Sequence, residues 1–251
     1  MNLFRAILFN IFLQIWTICM AFVFAPSLFL PSRYVMRIAQ VWSGGVTVLA
    51  SVFMGIKAEI RGREHLQDKR VIVAAKHQSA WETIKLSNLV DLPSTVLKNE
   101  LAHMFLYGYY FRRAGMIPVD REGGAGAIRK MIRLAAQRLD EGRTIIIYPE
   151  GTRTPIGQKP RYFPGVAGLY KELGVPVVPI ALNSALYWRR GQLAKTPGTI
   201  IIEALPPIPP GLDRKTFLRE LEERIETATA RLVEEGRADL RRRGLDDLSG
   251  E

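Results

Sequence analysis

Val71-Ile72-Val73-Ala74-Ala75-Lys76-His77-Gln78-Ser79-Ala80-Trp81-Glu82-Thr83 is the stretch that decides the fold. Its apolar start has the length and composition of a buried strand. Ser79 followed three residues on by Glu82 is a Ser-x-x-Glu capping box, which makes Ser79 the N-cap of a helix. Strand, turn and helix in that order put His77 at the carboxyl end of the strand, where open α/β sheets collect their ligands. Glu82 lies in the first helical turn and can fold back onto His77. A carboxylate beside an imidazole fixes its tautomer and favours the imidazolium, as a general base requires. The ordinary alternative is a capping acid near a loop histidine. Of the three histidines only His77 has an acid at that distance: Arg70 lies five beyond His65, and Gly108 five beyond His103.

Outward from this stretch the chain alternates strand and helix. Ala58 to Arg61 and Val71 to Lys76 read as strands, and a helix runs from Trp81 to about Val90, stopped by Asp91-Leu92-Pro93. Ser94 to Leu97 and Met116 to Val119 are short strands. Gly123-Gly124 opens a helix whose Ile128, Met131, Ile132, Ala135 and Leu139 recur at helical spacing, with Gly142 as its C-cap. Strands follow at Thr144 to Tyr148, Val175 to Ile180 and Thr199 to Ala204. Pro206 to Pro210 reads as a linker. Asp213 to about Arg243 reads as an amphipathic helix with Phe217, Leu221, Ile225, Ala228 and Leu232 on one stripe. The pattern predicts an α/β fold with a largely parallel sheet flanked by helices.

Two apolar runs precede it. From Ala6 to Leu30 no residue carries a formal charge, a length that crosses a bilayer. Pro26 and Pro31 interrupt it, Arg33 and Arg37 follow, and a second uncharged run extends from Ile38 to Ile56. Two apolar helices joined by a Pro-rich turn form a membrane hairpin, either crossing twice or lying in one leaflet with the arginines at the headgroups, the plain alternative being a buried hairpin of a soluble protein. The run is too long for a signal peptide, and a second one follows it. Composition turns charged after Lys57, which divides the chain into a hairpin, 1–57, and an α/β domain, 58–251.

The 251 residues carry a net charge of +11, which suits an anionic partner. The single cysteine, Cys19, excludes an intramolecular disulfide, and three scattered histidines give no zinc pattern. No phosphate-binding glycine loop of the mononucleotide or dinucleotide type occurs. The aromatic segment His103 to Phe111 is not interleaved with basic residues as nucleic-acid binding requires, so it is core or membrane-facing.

Three further blocks end strands. Lys98 follows one strand, Gly115-Met116-Ile117-Pro118-Val119-Asp120-Arg121 delivers Arg121, and Tyr148-Pro149-Glu150-Gly151-Thr152-Arg153 delivers Glu150 and Arg153. Lys98, Arg121 and Arg153 form an anion pocket beside His77 if they converge. The plain alternative is local pairing, Arg121 with Asp120 or Glu122 and Arg153 with Glu150. With a membrane hairpin, convergence points to a phosphorylated lipid.

Taken in order, these blocks resemble those of the 1-acyl-sn-glycerol-3-phosphate acyltransferase family: His-x4-Asp (here His77 to Glu82), Gly-x-Ile-Pro-x-x-Arg (Gly115 to Arg121), Glu-Gly-Thr-Arg (Glu150 to Arg153) and Val-Pro-x-x-Pro (Val175 to Pro179). The resemblance covers roughly residues 57 to 205. The departure is Glu82 where the family usually has Asp. The resemblance implies transfer of an acyl group from acyl-CoA or acyl-ACP to the sn-2 hydroxyl of lysophosphatidic acid, with no further cofactor and no metal. It implies catalysis by His77 and Glu82 and a phosphate side built from Lys98, Arg121, Glu150, Gly151, Thr152 and Arg153, with Glu150 and Gly151 shaping the loop. It also implies an inner-membrane enzyme facing the cytoplasm, with membrane lipid, acyl donor and lysophospholipid as partners and no nucleic acid. Rival readings are another lyso-lipid acceptor (lyso-ornithine lipid or lysophosphatidylglycerol), hydrolysis of the donor, and a non-catalytic lipid-binding membrane protein.

Overall fold

A seven-stranded sheet has the order β1-β7-β6-β2-β5-β3-β4. The computed structural model describes residues 3–68, 70–105, 107–158 and 161–245. The strands are β1 (Ile56–Arg61), β2 (Ile72–Ala75), β3 (Ser94–Lys98), β4 (Ile117–Val119), β5 (Ile145–Ile147), β6 (Val177–Leu182) and β7 (Gly198–Ala204). All neighbours are parallel except β6 and β7, so β6, β2, β5, β3 and β4 end at one common edge. Covering both faces explains why β2 and β5 read as unbroken apolar runs. Ile72 and Ala74 face one layer, and Val73 and Ala75 the other.

The first layer contains α5 (Gly124–Asp140), α6 (Pro164–Leu173) and the start of α7 (Arg214–Arg242). Asp213 caps α7 through Lys215 and Thr216 N–H, and Phe217, Leu221 and Ile225 bury the expected stripe. Helix α6 is absent from the sequence reading, although Pro164 opens it and Gly174, at φ 61°, closes it. Pro206 to Pro210 is not a free linker. Ile208 is buried and bridges Val177, because the chain must return to the sheet before α7 begins.

The second layer is the N-terminal hairpin, α1 (Leu3–Val23) and α2 (Ser32–Met54), together with the short α3 (Trp81–Lys85). Helix α3 is shorter than expected; the chain tightens into a 3-10 turn at Leu86–Asn88. Gly45 lets α1 and α2 touch: a Cβ there would lie 2.4 Å from the Trp16 indole. The two indoles then lock the pair, Trp16 Nε1 donating to Trp42 O at 3.0 Å and Trp42 Nε1 to Thr17 Oγ1 at 3.1 Å. Both helices are long and apolar enough to cross a membrane. Their outer faces leave Phe4 and Ile15 of α1 and Val48 and Val52 of α2 exposed, while Ala6, Phe9, Ala50 and Met54 join the core beneath the sheet. The change in composition at Lys57 is therefore not a break in packing. Buried Arg143 adds a tie, donating to Ser32 Oγ at 2.6 Å and to Ala114 O at 2.9 Å. Tyr110, on α4 (Tyr107–Arg113), adds another by donating to Ala21 O at 2.6 Å.

Candidate active site

His77 leaves the end of β2 as anticipated, and Glu82 folds back beneath it. His77 Nδ1 and Glu82 Oε1 are 2.9 Å apart. A carboxylate only accepts, so Nδ1 carries the proton and Nε2 is left for substrate. Glu82 is fully buried, and the same oxygen accepts Gln78 N–H at 2.7 Å and Ser79 N–H at 2.6 Å. Its other oxygen accepts Ser79 Oγ at 2.5 Å and Ser184 Oγ at 2.7 Å. Burial pushes this carboxyl up, but the bonds from His77 and Ser79 outweigh it and hold Glu82 below its ordinary value. Ser79 Oγ also accepts Trp81 N–H at 3.0 Å, so Glu82 serves the capping-box contacts and the dyad at once; the helix itself starts at Trp81 with Ala80, not Ser79, as its N-cap, because Ser79 Oγ is taken up by Glu82.

The peptide of His77 is held as firmly as its ring. Its N–H donates to Glu150 Oε1 at 2.7 Å, and its carbonyl accepts Thr154 N–H at 2.8 Å. The Tyr148 ring lies over the imidazole, 4.4 Å between centroids at 30°. The loop after β5 thus fixes the histidine after β2 because the two strands are neighbours.

His77 opens on a cavity of about 490 Å³. Lys98, Arg121, Gly151 and Arg153 line it near the strand ends, and Met20, Met36, Trp42, Ile84 and Met131 are among its apolar walls. Residues of the hairpin and of the α/β unit share the lining. Lys98 is half exposed and pairs with Glu100 Oε1 at 2.6 Å. Arg153 pairs with no carboxylate among the described residues, and Arg121 does not pair with Asp120 or Glu122, so the local-pairing alternative does not hold. Gly151 sits at φ 65° with a Cβ position 2.6 Å from the Phe163 ring, so only glycine lets the loop lie there without strain.

Two expected phosphate-side residues are placed elsewhere. Glu150 is buried and turned inward, with Oε2 3.3 Å from Lys76 Nζ; a carboxylate in that position organises His77 and does not meet an anion. Burial pushes Glu150 up, against the pull of Lys76. Thr152 is exposed and outside the cavity lining, its carbonyl 3.5 Å from Thr154 Oγ1. Sequence reading missed Ser184, whose contact with Glu82 crosses 102 positions. The available signal was a polar pair, Asn183-Ser184, directly after an apolar strand. It also passed over Lys76, buried beside the histidine. Among the described residues no group of three His, Cys, Asp or Glu side chains is placed to hold a metal.

By fold and dyad the class is an α/β enzyme with a histidine–carboxylate pair facing an apolar cavity. Residues 57–183 match the Acyltransferase family model, and the chain belongs to that family. A 1-acyl-sn-glycerol-3-phosphate acyltransferase of Pseudomonas aeruginosa is 33% identical over 226 residues, 88% of this chain and 87% of the relative. One from Limnanthes alba is 30% identical over 184 residues, 72% of this chain and 65% of its own length. In fold the chain is similar to a crystal structure of the 1-acyl-sn-glycerophosphate acyltransferase of Thermotoga maritima, with a TM-score of 0.74. That match is 21% identical and covers 92% of this chain and 98% of the other.

Proposed function

We propose that this acyltransferase moves a fatty acyl group from an acyl thioester to the sn-2 hydroxyl of 1-acyl-glycerol-3-phosphate, giving phosphatidic acid. The observation that carries the reading is one cavity lined by His77, which Glu82 holds, by the cations Lys98, Arg121 and Arg153, and by apolar walls. That lining fits an acceptor with a phosphate head and an acyl tail. The names borne by the relatives from Pseudomonas aeruginosa and Limnanthes alba agree with it.

His77 Nε2 takes the proton of the sn-2 hydroxyl as its oxygen attacks the thioester carbonyl. Glu82 stabilises the imidazolium that forms and keeps Nδ1 protonated. Collapse of the tetrahedral intermediate breaks the C–S bond, and the imidazolium returns its proton to the departing thiolate. A positioned base of this kind contributes roughly 10²–10⁴-fold. Arg153 and Arg121 hold the phosphate from the open side, and Lys98, shared with Glu100, completes the cluster. The thiol carrier is CoA or acyl carrier protein. The hairpin seats the enzyme in the inner membrane with the α/β unit on the cytoplasmic side, and its exposed apolar faces support that seat.

The test is acyl transfer from labelled acyl-CoA and acyl-ACP, in separate arms, by detergent-purified protein, wild type beside His77→Ala. Labelled phosphatidic acid from wild type alone is expected. Transfer only to a lysolipid without a phosphomonoester, or acyl release at the same rate without acceptor, refutes the acceptor. Equal product from His77→Ala refutes the base.

A further inference from the structure

We infer that Glu226, on the C-terminal helix α7, is a positioning residue for His77: with Lys76 it holds the Glu150 carboxylate on the His77 backbone N–H. The inference rests on the proposed acyl transfer, which gives the positioned histidine its task. Glu226 lies outside the family-matched segment 57–183.

Lys76 is only 2% exposed, and a lysine is almost never buried unless paired. Its Nζ donates to both Glu226 oxygens, at 2.7 and 3.0 Å, and stands 3.3 Å from Glu150 Oε2. Tyr162 OH donates to Glu226 Oε1 at 2.9 Å and fixes that carboxylate in turn. The relay therefore runs from α7 through Glu226, Lys76 and Glu150 to the amide of His77, and its Lys76–Glu226 contact joins positions 150 apart in sequence.

Burying one ammonium with two carboxylates costs several kcal/mol in desolvation per ion, and apolar side chains of similar volume often stabilise a core as well or better. Stability alone is thus a weak reason for this arrangement. Its geometry has a second consequence. Glu150 has two pulls on it, the His77 N–H on Oε1 and the Lys76 ammonium on Oε2. Glu226 takes the greater share of the ammonium, with contacts 0.3 to 0.6 Å shorter than the Glu150 contact. Neutralising Glu226 releases the ammonium towards Glu150 and draws the carboxylate off the His77 amide. Glu82 holds the ring of His77 and Glu150 its backbone N–H, so when the amide loses its partner the histidine shifts relative to the acceptor hydroxyl. Small misplacements of this kind cost rate, up to about 10²-fold for 1 Å.

The test uses full-length protein carrying Glu226→Gln, which keeps volume and an acceptor for Tyr162 or Lys76. The expected result is a fall in kcat of about tenfold with acceptor KM unchanged within twofold, since the rim cations are untouched. Glu226→Asp is expected to recover part of that loss. A second readout needs no turnover. Selective 15N-histidine labelling yields only three backbone amides, and the His77 signal, assigned with His77→Ala, is expected to move upfield in Glu226→Gln as its carboxylate partner withdraws. A folded Glu226→Gln with wild-type kcat and an unmoved His77 amide overturns the inference. So does lost activity that follows thermal unfolding while the amide stays in place. If Glu226→Gln does not fold, Tyr162→Phe loosens the same carboxylate by one hydroxyl, and an unmoved amide there also overturns it. A moved amide in a protein whose wild type transfers no acyl group sinks the functional reading and leaves the positioning intact.

Discussion

Replacing Glu82 by glutamine separates the charge of the dyad from its shape. The side chain keeps its length, and an amide oxygen at Oε1 still accepts from His77 Nδ1, Gln78 N–H and Ser79 N–H. The amide nitrogen then faces the hydroxyls of Ser79 and Ser184, which rotate to accept. The dyad loses the charge that stabilises the imidazolium in the transition state. Hydrogen bonds to a charged partner contribute about 1.5–3 kcal/mol, against about 1 for neutral ones. The difference predicts a fall in kcat of roughly 2- to 30-fold with acceptor KM preserved. Initial rates of labelled phosphatidic acid formation at saturating donor, over a range of acceptor, give both constants. Stability moves oppositely with pH. The folded Glu82 carboxyl lies below its ordinary value of 4.5, so its contribution is complete above that pH and is lost as pH falls through the lower folded value. Wild-type melting temperature should therefore drop on acidification by more than that of Glu82→Gln. A Glu82→Gln protein with undiminished kcat, or with its whole loss in KM, would show that the carboxylate serves only as a cap.

Arg153→Ala, which removes a cation without a carboxylate partner among the described residues, should raise acceptor KM about tenfold, the equivalent of one charge-assisted hydrogen bond, with kcat little changed; steady-state kinetics decide. Thr152→Ala should leave both constants within twofold, because Thr152 stands outside the cavity. Arg143→Met leaves the buried Ala114 carbonyl and Ser32 hydroxyl without their donor and should cost about 1–3 kcal/mol in denaturant unfolding. Tyr148→Phe removes a buried hydroxyl with no partner among the described residues and keeps the ring over His77. Stability should hold or rise, and activity should persist in the same assays.

The local elements were legible because each is set by neighbours in sequence. The β2 turn declares itself through an apolar run and a capping box, and the structure builds the dyad from those residues. The stripe of α7 and the two apolar helices follow from spacing and composition alone. Helix α6 was missed despite its proline start and glycine end, since its buried residues Val166 to Tyr170 are consecutive and its polar Lys171 and Glu172 come only at the end, so no helical period shows. The direction in which Glu150 turns was out of reach for another reason. A carboxylate after a strand reads as part of the loop it sits in, whereas its direction depends on the ammonium buried behind it.

Sequence by itself determined the strand endings, the His77–Glu82 pair and the cations Lys98, Arg121 and Arg153 that follow the strands, because these depend on spacings of a few residues. Only the tertiary structure decided that Arg153 stays open to the cavity while Glu150 turns to the His77 amide, that Ser184 completes the Glu82 shell, and that α7 reaches the site through Lys76. Those choices depend on parallel strands bringing distant segments to one edge, and on burial, which forces each charge brought there to find a partner.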